Sequence, residues 1–236
     1  MNGSVRLNKF LAESLGISRR AADNLIAAGK VQVNQRRAVL GERIDKTDEV
    51  CYNGKIVSSL QGYTYLAFNK PVGYVCSRKR QGEFPTLYEL LPEKYRSLKT
   101  VGRLDRDSAG LILLANDGDF AFKMTHPQFA KTKIYEVELD QPLSPLHQQM
   151  IADFGLELTD GWSRLGLTRL EKGEGALSAD GSRRFWRVLM CEGRNRQIRR
   201  TFGALGYTVV QLYRTDFGPY HLDGLKPGEF VETKKA

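Results

Sequence analysis

Gly102-Arg103-Leu104-Asp105-Arg106-Asp107-Ser108-Ala109-Gly110 runs directly into the apolar stretch Leu111-Ile112-Leu113-Leu114-Ala115. A short run of apolar residues bounded by glycine is the pattern of a strand buried on both faces. Two acids flanked by two arginines therefore stand at the mouth of a buried strand. Loops at strand ends, carried on a rigid scaffold, are where reactive groups tend to be placed. A second segment of similar character lies downstream, Glu192-Gly193-Arg194-Asn195-Arg196-Gln197-Ile198-Arg199-Arg200, at a strand-to-helix corner. An arginine fork pairs bidentately with carboxylate or phosphate. One arginine of the second segment can thus hold an aspartate of the first ionised while its neighbours meet backbone phosphates. The plainer reading, aspartates as turn caps and arginines as a solvated helix face, stands beside it, since surface ion pairs are common.

The segments around this pair predict a mixed architecture. Tyr63–Phe68 reads as a strand ending at Lys70-Pro71, Ile134–Leu139 alternates with period two, and Phe185–Cys191 is a further strand. Thr86 is placed to cap a helix presenting Leu87, Leu90 and Leu91. Ser144-Pro145 sets a cap and an N1 proline before a helix carrying Leu146, Met150 and Ile151. Arg196–Leu205 is helical, with Ile198, Phe202 and Leu205 on one face. Irregular alternation with antiparallel pairs predicts an α+β domain, built on a mostly antiparallel mixed sheet with flanking helices, rather than a doubly wound sheet.

The first sixty residues differ from the rest. They carry 10 Lys/Arg against 6 acids. Ser4 is placed to cap a helix with Leu7, Phe10 and Leu11 inward, and Ser18 a second one with Ala22, Leu25 and Ile26 inward, ended by Gly29. Val31 and Val33 alternate as a strand, and Asn53-Gly54 predicts a type I′ hairpin between Val50–Tyr52 and Lys55–Val57. The polar stretch Ser58-Ser59-Leu60-Gln61-Gly62 reads as a linker, dividing the chain into residues 1–60 and 61–236.

Composition narrows the partners. The 236 residues hold 36 Lys and Arg against 27 Asp and Glu, a formal charge of +9 that favours a polyanion. No apolar run approaches the roughly 20 residues of a membrane-spanning helix, and the N-terminal ten residues lack a signal peptide's apolar stretch. Three scattered cysteines without CxxC spacing argue against disulfides and zinc and for the cytoplasm. No P-loop is present, Gly173-Glu174-Gly175 does not complete GxGxxG, and His126, His147 and His221 are far apart. Neither a metal nor an organic cofactor is expected.

Four motifs, in order, resemble those of RNA pseudouridine synthases: Asn69-Lys70-Pro71-Val72-Gly73, the Gly102–Leu111 segment, Lys133-Ile134-Tyr135, and Gly193–Arg200. The set is similar to the RsuA branch, the bacterial-type ribosomal RNA enzymes. In front of them, Arg6-Leu7-Asn8-Lys9-Phe10, Ser18–Ala22 and Gly29–Asn34 resemble the small alpha-L RNA-binding domain shared with a ribosomal small-subunit protein. The resemblance spans essentially the whole chain. It implies isomerisation of a specific uridine to pseudouridine in ribosomal RNA, by a monomer, on a nucleotide flipped out of its stack.

By the same resemblance, Asp105 matches the essential aspartate, Tyr135 the active-site tyrosine that packs on the base, and Arg199 the basic residue paired with the aspartate. Arg200 is the alternative partner. RNA contacts are expected from Arg6, Lys9, Arg19, Arg20, Lys30, Arg36, Arg37, Lys70, Arg103, Arg194, Arg196 and Arg200. Whether the carboxylate adds to C1′ or promotes elimination to a glycal is open at this level. Isomerisation changes no net oxidation state, in keeping with the lack of a cofactor motif. A non-catalytic RNA-binding protein is disfavoured because Asp105, Tyr135 and Arg199 are all present. A methyltransferase would need a glycine-rich loop after a first parallel strand, and none is found.

Overall fold

In the computed structural model, which describes residues 4–58 and 62–236, the Ala109–Ala115 strand lies inside a nine-stranded sheet. All seven of its residues are buried. Side chains of successive strand residues alternate between faces. Leu111 and Leu113 accordingly pack with Phe120, Met124 and Phe217 on one side, whereas Ile112 and Leu114 join Phe68, Trp186 and Phe202 on the other. The strands follow the order Gly166–Arg169, Phe185–Met190, Lys133–Leu139, Val209–Phe217, Ala109–Ala115, Tyr65–Lys70 and Phe230–Thr233, with Tyr220–His221 and Lys99–Val101 attached at the side. Every pairing is antiparallel except one. Val209–Phe217 runs parallel to Ala109–Ala115, with Tyr213 opposite Ala109 and Arg214 opposite Gly110. The expected mixed, mostly antiparallel α+β domain with flanking helices is what forms.

The chain divides into two compact units, Met1–Thr64 with Asn116–Gly118, and Tyr65–Ala115 with Asp119–Ala236. The linker expected at 58–62 falls mostly outside the described residues.

In the front unit, helices Leu7–Ser14 and Arg19–Ala27 bury Leu7, Leu11, Ala22 and Ile26 against Val31, Val33 and Val50. Ser18 caps the second helix, accepting from Ala21 N at 3.0 Å. Asn53 and Gly54 both take positive φ, 49° and 76°, as a type I′ turn requires. Ser4 does not cap the first helix. Its hydroxyl accepts from Arg43 Nε at 2.9 Å, because Val5–Arg6 pairs as a strand with Arg43–Ile44.

Other local expectations shift in detail. Thr86 begins a short 3₁₀ turn, Leu87–Leu90, closed by a capping box with Glu89. The helix after Ser144 spans only Pro145–Gln149 before a π-helical turn at Met150–Phe154. Ile151 is buried there, but Leu146 is 64% exposed. Leu146 and Ile151 are five positions apart, roughly 140° around a helix of 3.6 residues per turn, so the two cannot both face the core.

Candidate active site

Residues 104–108 form a tight loop whose main-chain carbonyls are all held. Leu104 O accepts from Cys76 Sγ at 3.2 Å, and Asp105 O from Ser108 N at 3.1 Å. Arg106 O takes Gly73 N at 2.9 Å, Asp107 O takes Arg199 Nη2 at 2.9 Å, and Ser108 O takes Lys70 Nζ at 2.7 Å. Five consecutive carbonyls, four of them anchored by donors from residues 70–76 and from Arg199, leave the loop little freedom. A reacting group held this way loses little entropy when substrate arrives.

Lys70 is fully buried, its amine also donating to Pro71 O at 3.0 Å. The expectation that it contacts RNA is therefore corrected: with no exposed surface it positions the loop from beneath. Burial, only partly offset by Cys76, Asp105 and Asp107, brings its pKa from 10.5 to about 8. The sign follows from linkage. Between about pH 8 and 10.5 the unfolded chain holds a proton that the native chain has released, so stability rises with pH across that window. Relative to Lys70→Met, the parent is expected to gain about 3 kcal/mol between pH 8 and 10.5. Urea unfolding of both proteins at matched pH checks it, and a constant difference would show that Lys70 stays charged in the fold.

Asp105 lies on the rim of a cavity of about 360 Å³, within the range of ligand sites. Its carboxylate is 39% exposed. Tyr135 is 8% exposed and lines the same cavity from the Lys133–Leu139 strand.

The guanidinium that approaches Asp105 is not the one anticipated. Arg196 Nη1 lies 3.7 Å from Asp105 Oδ2 and also 3.7 Å from Asp107 Oδ2. Asp107 is held below the usual carboxylate range, chiefly by its hydrogen bond from Arg106 Nε at 2.9 Å. Arg199 instead spends its fork on two carbonyls, Asp107 O and Val209 O, the latter at 2.6 Å. It ties the loop to the start of the Val209–Phe217 strand. Burial lowers its pKa, with Asp107 and Asp105 pulling the other way. Arg200 faces away, meeting Asp160 through Nη2 at 2.7 Å and Nη1 at 3.0 Å.

The physical reason is the helix start. Arg196 sits at φ 46° just before the helix Gln197–Gly203, which turns its side chain over the aspartate loop. Arg199, a turn further on, then faces the loop's backbone, and Arg200 the opposite side. Both proposed partners of the Asp105 side chain are thus replaced by Arg196, in a pair too long and exposed to lock the carboxylate.

The remaining expected RNA contacts divide. Arg103 and Arg196 are exposed beside the cavity. Arg194 is not available to RNA: it donates to Asp160 O at 3.0 Å, Gly161 O at 2.9 Å and Trp162 O at 2.7 Å, clamping the Leu156–Ser163 hairpin. In the front unit Arg6, Arg19, Arg20 and Lys30 are exposed, and Lys9 is half-buried. Arg36 pairs with Glu42, and Arg37 donates to Ala27 O at 3.2 Å near the end of the second helix. Arg19 and Arg20 open that helix, where cations oppose the macrodipole and a bound anion relieves them.

Two contributors were not read from the sequence. Cys76 both donates to Leu104 O and accepts from Leu104 N at 3.4 Å, fixing the residue before Asp105. Arg214 is 2% exposed and lines the cavity. Cysteines carried no spacing signal, and Arg214 sits in a strand without a motif. Among the described residues no group of three or more His, Cys, Asp or Glu is arranged to hold a metal ion, and no helix is long and apolar enough to cross a membrane.

Comparison with known proteins bears on this geometry. Residues 64–204 match the family described as RNA pseudouridylate synthase, and residues 5–50 match the S4 domain. The chain is 34% identical over 229 residues to "Ribosomal small subunit pseudouridine synthase A" of Pasteurella multocida (strain Pm70), covering 96% of this chain and 94% of that one. It is 31% identical over 230 residues to "Ribosomal large subunit pseudouridine synthase B" of Bacillus subtilis (strain 168), covering 96% and 91%. A solved structure described as "Crystal structure of pseudouridylate synthase" superposes with a TM-score of 0.66 at 29% identity, over 98% of this chain and 96% of that one.

Proposed function

The chain belongs to the RNA pseudouridylate synthase family, in its RsuA branch, and from that premise we propose that it isomerises one uridine of ribosomal RNA with Asp105 as the reacting carboxylate. The observation that carries the reading is Asp105 itself: an accessible carboxylate on a loop pinned at every carbonyl, at the edge of a cavity walled by Tyr135. A target nucleotide must leave its stack, at a cost of a few kcal/mol, before its C1′ can meet that carboxylate. Stacking on Tyr135 returns roughly 1–3 kcal/mol of this. Arg103 and Arg196 at the mouth then take phosphates, and residues 1–60 serve as the RNA-binding module through Arg6, Arg19, Arg20 and Lys30, with residues 61–236 as the catalytic domain. The ribosomal substrate is inferred from relatives whose names assign them to small- or large-subunit RNA.

The test is conversion mapping. Unmodified small- and large-subunit ribosomal RNA transcripts are incubated with the purified chain, then read by carbodiimide labelling and primer extension. One uridine is expected to become reactive to the label, with no change in RNA mass before labelling. Labelling in neither RNA, with activity on another RNA, would remove the ribosomal assignment.

A further inference from the structure

Arg214 has a buried charge with an unused donor. It is 2% exposed, yet it lines the cavity. It stands opposite Tyr135 across the strand pair, its Cζ 5.9 Å from the Tyr135 ring centroid and 4.9 Å from that of Phe217. Nε donates to Leu111 O at 2.7 Å, while Nη2 is buried with no partner. The carboxylates around the site go elsewhere: Asp105 to Arg196, Asp107 to Arg106, Glu192 to Arg194. Burying a guanidinium with an unmade hydrogen bond is costly, and such a group in a native fold calls for an explanation.

We propose that Arg214 is a catalytic residue of this site, donating to a carbonyl oxygen of the flipped uracil and stabilising the negative charge the ring carries once its bond to C1′ breaks. The proposal rests on the uridine-isomerising reading above. The base rather than a phosphate is the ligand because of depth. The same cavity is lined by Met190, Ile198 and Leu212, each at most 8% exposed, and the guanidinium lies near two aromatic rings. A planar base fits between such walls, whereas a hydrated phosphate is better served at the mouth by the exposed Arg103 and Arg196.

The chemistry needs a cation at that place. When the C1′–N1 bond breaks, its electron pair passes to the uracil ring and spreads over N1, O2 and O4. After the ring turns, electrons of the ring form the C5–C1′ bond, C5 gives up its hydrogen as a proton, and N1 takes one up. Atoms and electrons balance without a co-reactant, by either route open to Asp105. A donor fixed by the fold beside the place where this charge develops needs little reorganisation, and one such donor typically contributes about 10²–10³ in rate.

Arg214→Gln and Arg214→Lys, compared with the parent on the ribosomal RNA transcripts, test this. Single-turnover conversion at saturating RNA is measured beside RNA affinity and its salt dependence. Arg214→Gln is expected to slow conversion by about 10²–10³-fold, with affinity and salt slope unchanged and Arg214→Lys intermediate. A saturated rate within about threefold of the parent would overturn the proposal, since a lost oxyanion donor costs far more. So would a preserved rate with weaker binding and a salt slope flattened by about 0.7, which is the signature of a phosphate contact. Thermal unfolding verifies that the variants fold, and if Arg214→Gln does not, Arg214→Lys is judged by the same readouts. Absence of any pseudouridine with the parent would instead sink the underlying reading and this proposal with it.

Discussion

Asp105→Asn is expected to slow pseudouridine formation by about 10³–10⁴-fold while leaving RNA affinity and thermal stability nearly unchanged. The amide keeps the carboxylate's size but can neither carry its charge nor act as nucleophile or base at neutral pH. Stability should hold because the loop is fixed through main-chain carbonyls, none of which depends on the Asp105 side chain. What the variant loses is one exposed 3.7 Å ion pair with Arg196, worth between nothing and about 1 kcal/mol. Single-turnover assays with carbodiimide detection, beside filter binding, separate the two effects. Turnover within about tenfold of the parent, a barrier change of only ~1.4 kcal/mol, would take Asp105 out of the mechanism.

Gly110→Ala is expected to damage fold and activity together. Gly110 has φ +101°, a conformation side chains rarely adopt, and it ends the aspartate loop where the parallel strand crosses closest. A Cβ there would lie 2.2 Å from Arg214 O and 2.5 Å from Arg214 N. Those are backbone atoms within the sheet, so no side-chain rotation relieves the clash. Relief requires separating the two strands, and with them Asp105, Tyr135 and Arg214. A loss of about 3 kcal/mol or more is the expected scale for backbone strain with core overpacking, lowering Tm by about 10 °C for a domain of this size. Differential scanning calorimetry reads the shift. A Tm within about 2 °C of the parent, under 1 kcal/mol, would mean the strands can part at little cost.

Much of this arrangement was readable along the chain, for a local reason. The unbroken apolar run Leu111–Ala115 is a buried strand because alternate side chains must find apolar neighbours on both faces, and they do. Asn53-Gly54 makes its turn because both residues tolerate positive φ. Asp105 and Tyr135 line one cavity. Leu146 is exposed and Ile151 buried because five positions carry the chain roughly 140° around a helix, so a single buried stripe cannot hold both.

The cations that sequence reading missed or gave another role have remote partners. Lys70 carries the charge of a surface residue, and only the folded sheet puts it under Ser108, 38 positions away. Arg199 meets Asp107 O across 92 positions, and Arg214 meets Leu111 O across 103.

Residue type and order alone determined that this chain would bury the Leu111–Ala115 strand, hang a loop with two aspartates on its end and supply several arginines nearby, because hydrophobic period, turn preference and charge act between near neighbours. Which arginine faces the carboxylate and which ones hold backbone were decided only by tertiary structure. Those choices depend on distances between segments that strand pairing and the turn into one helix bring together.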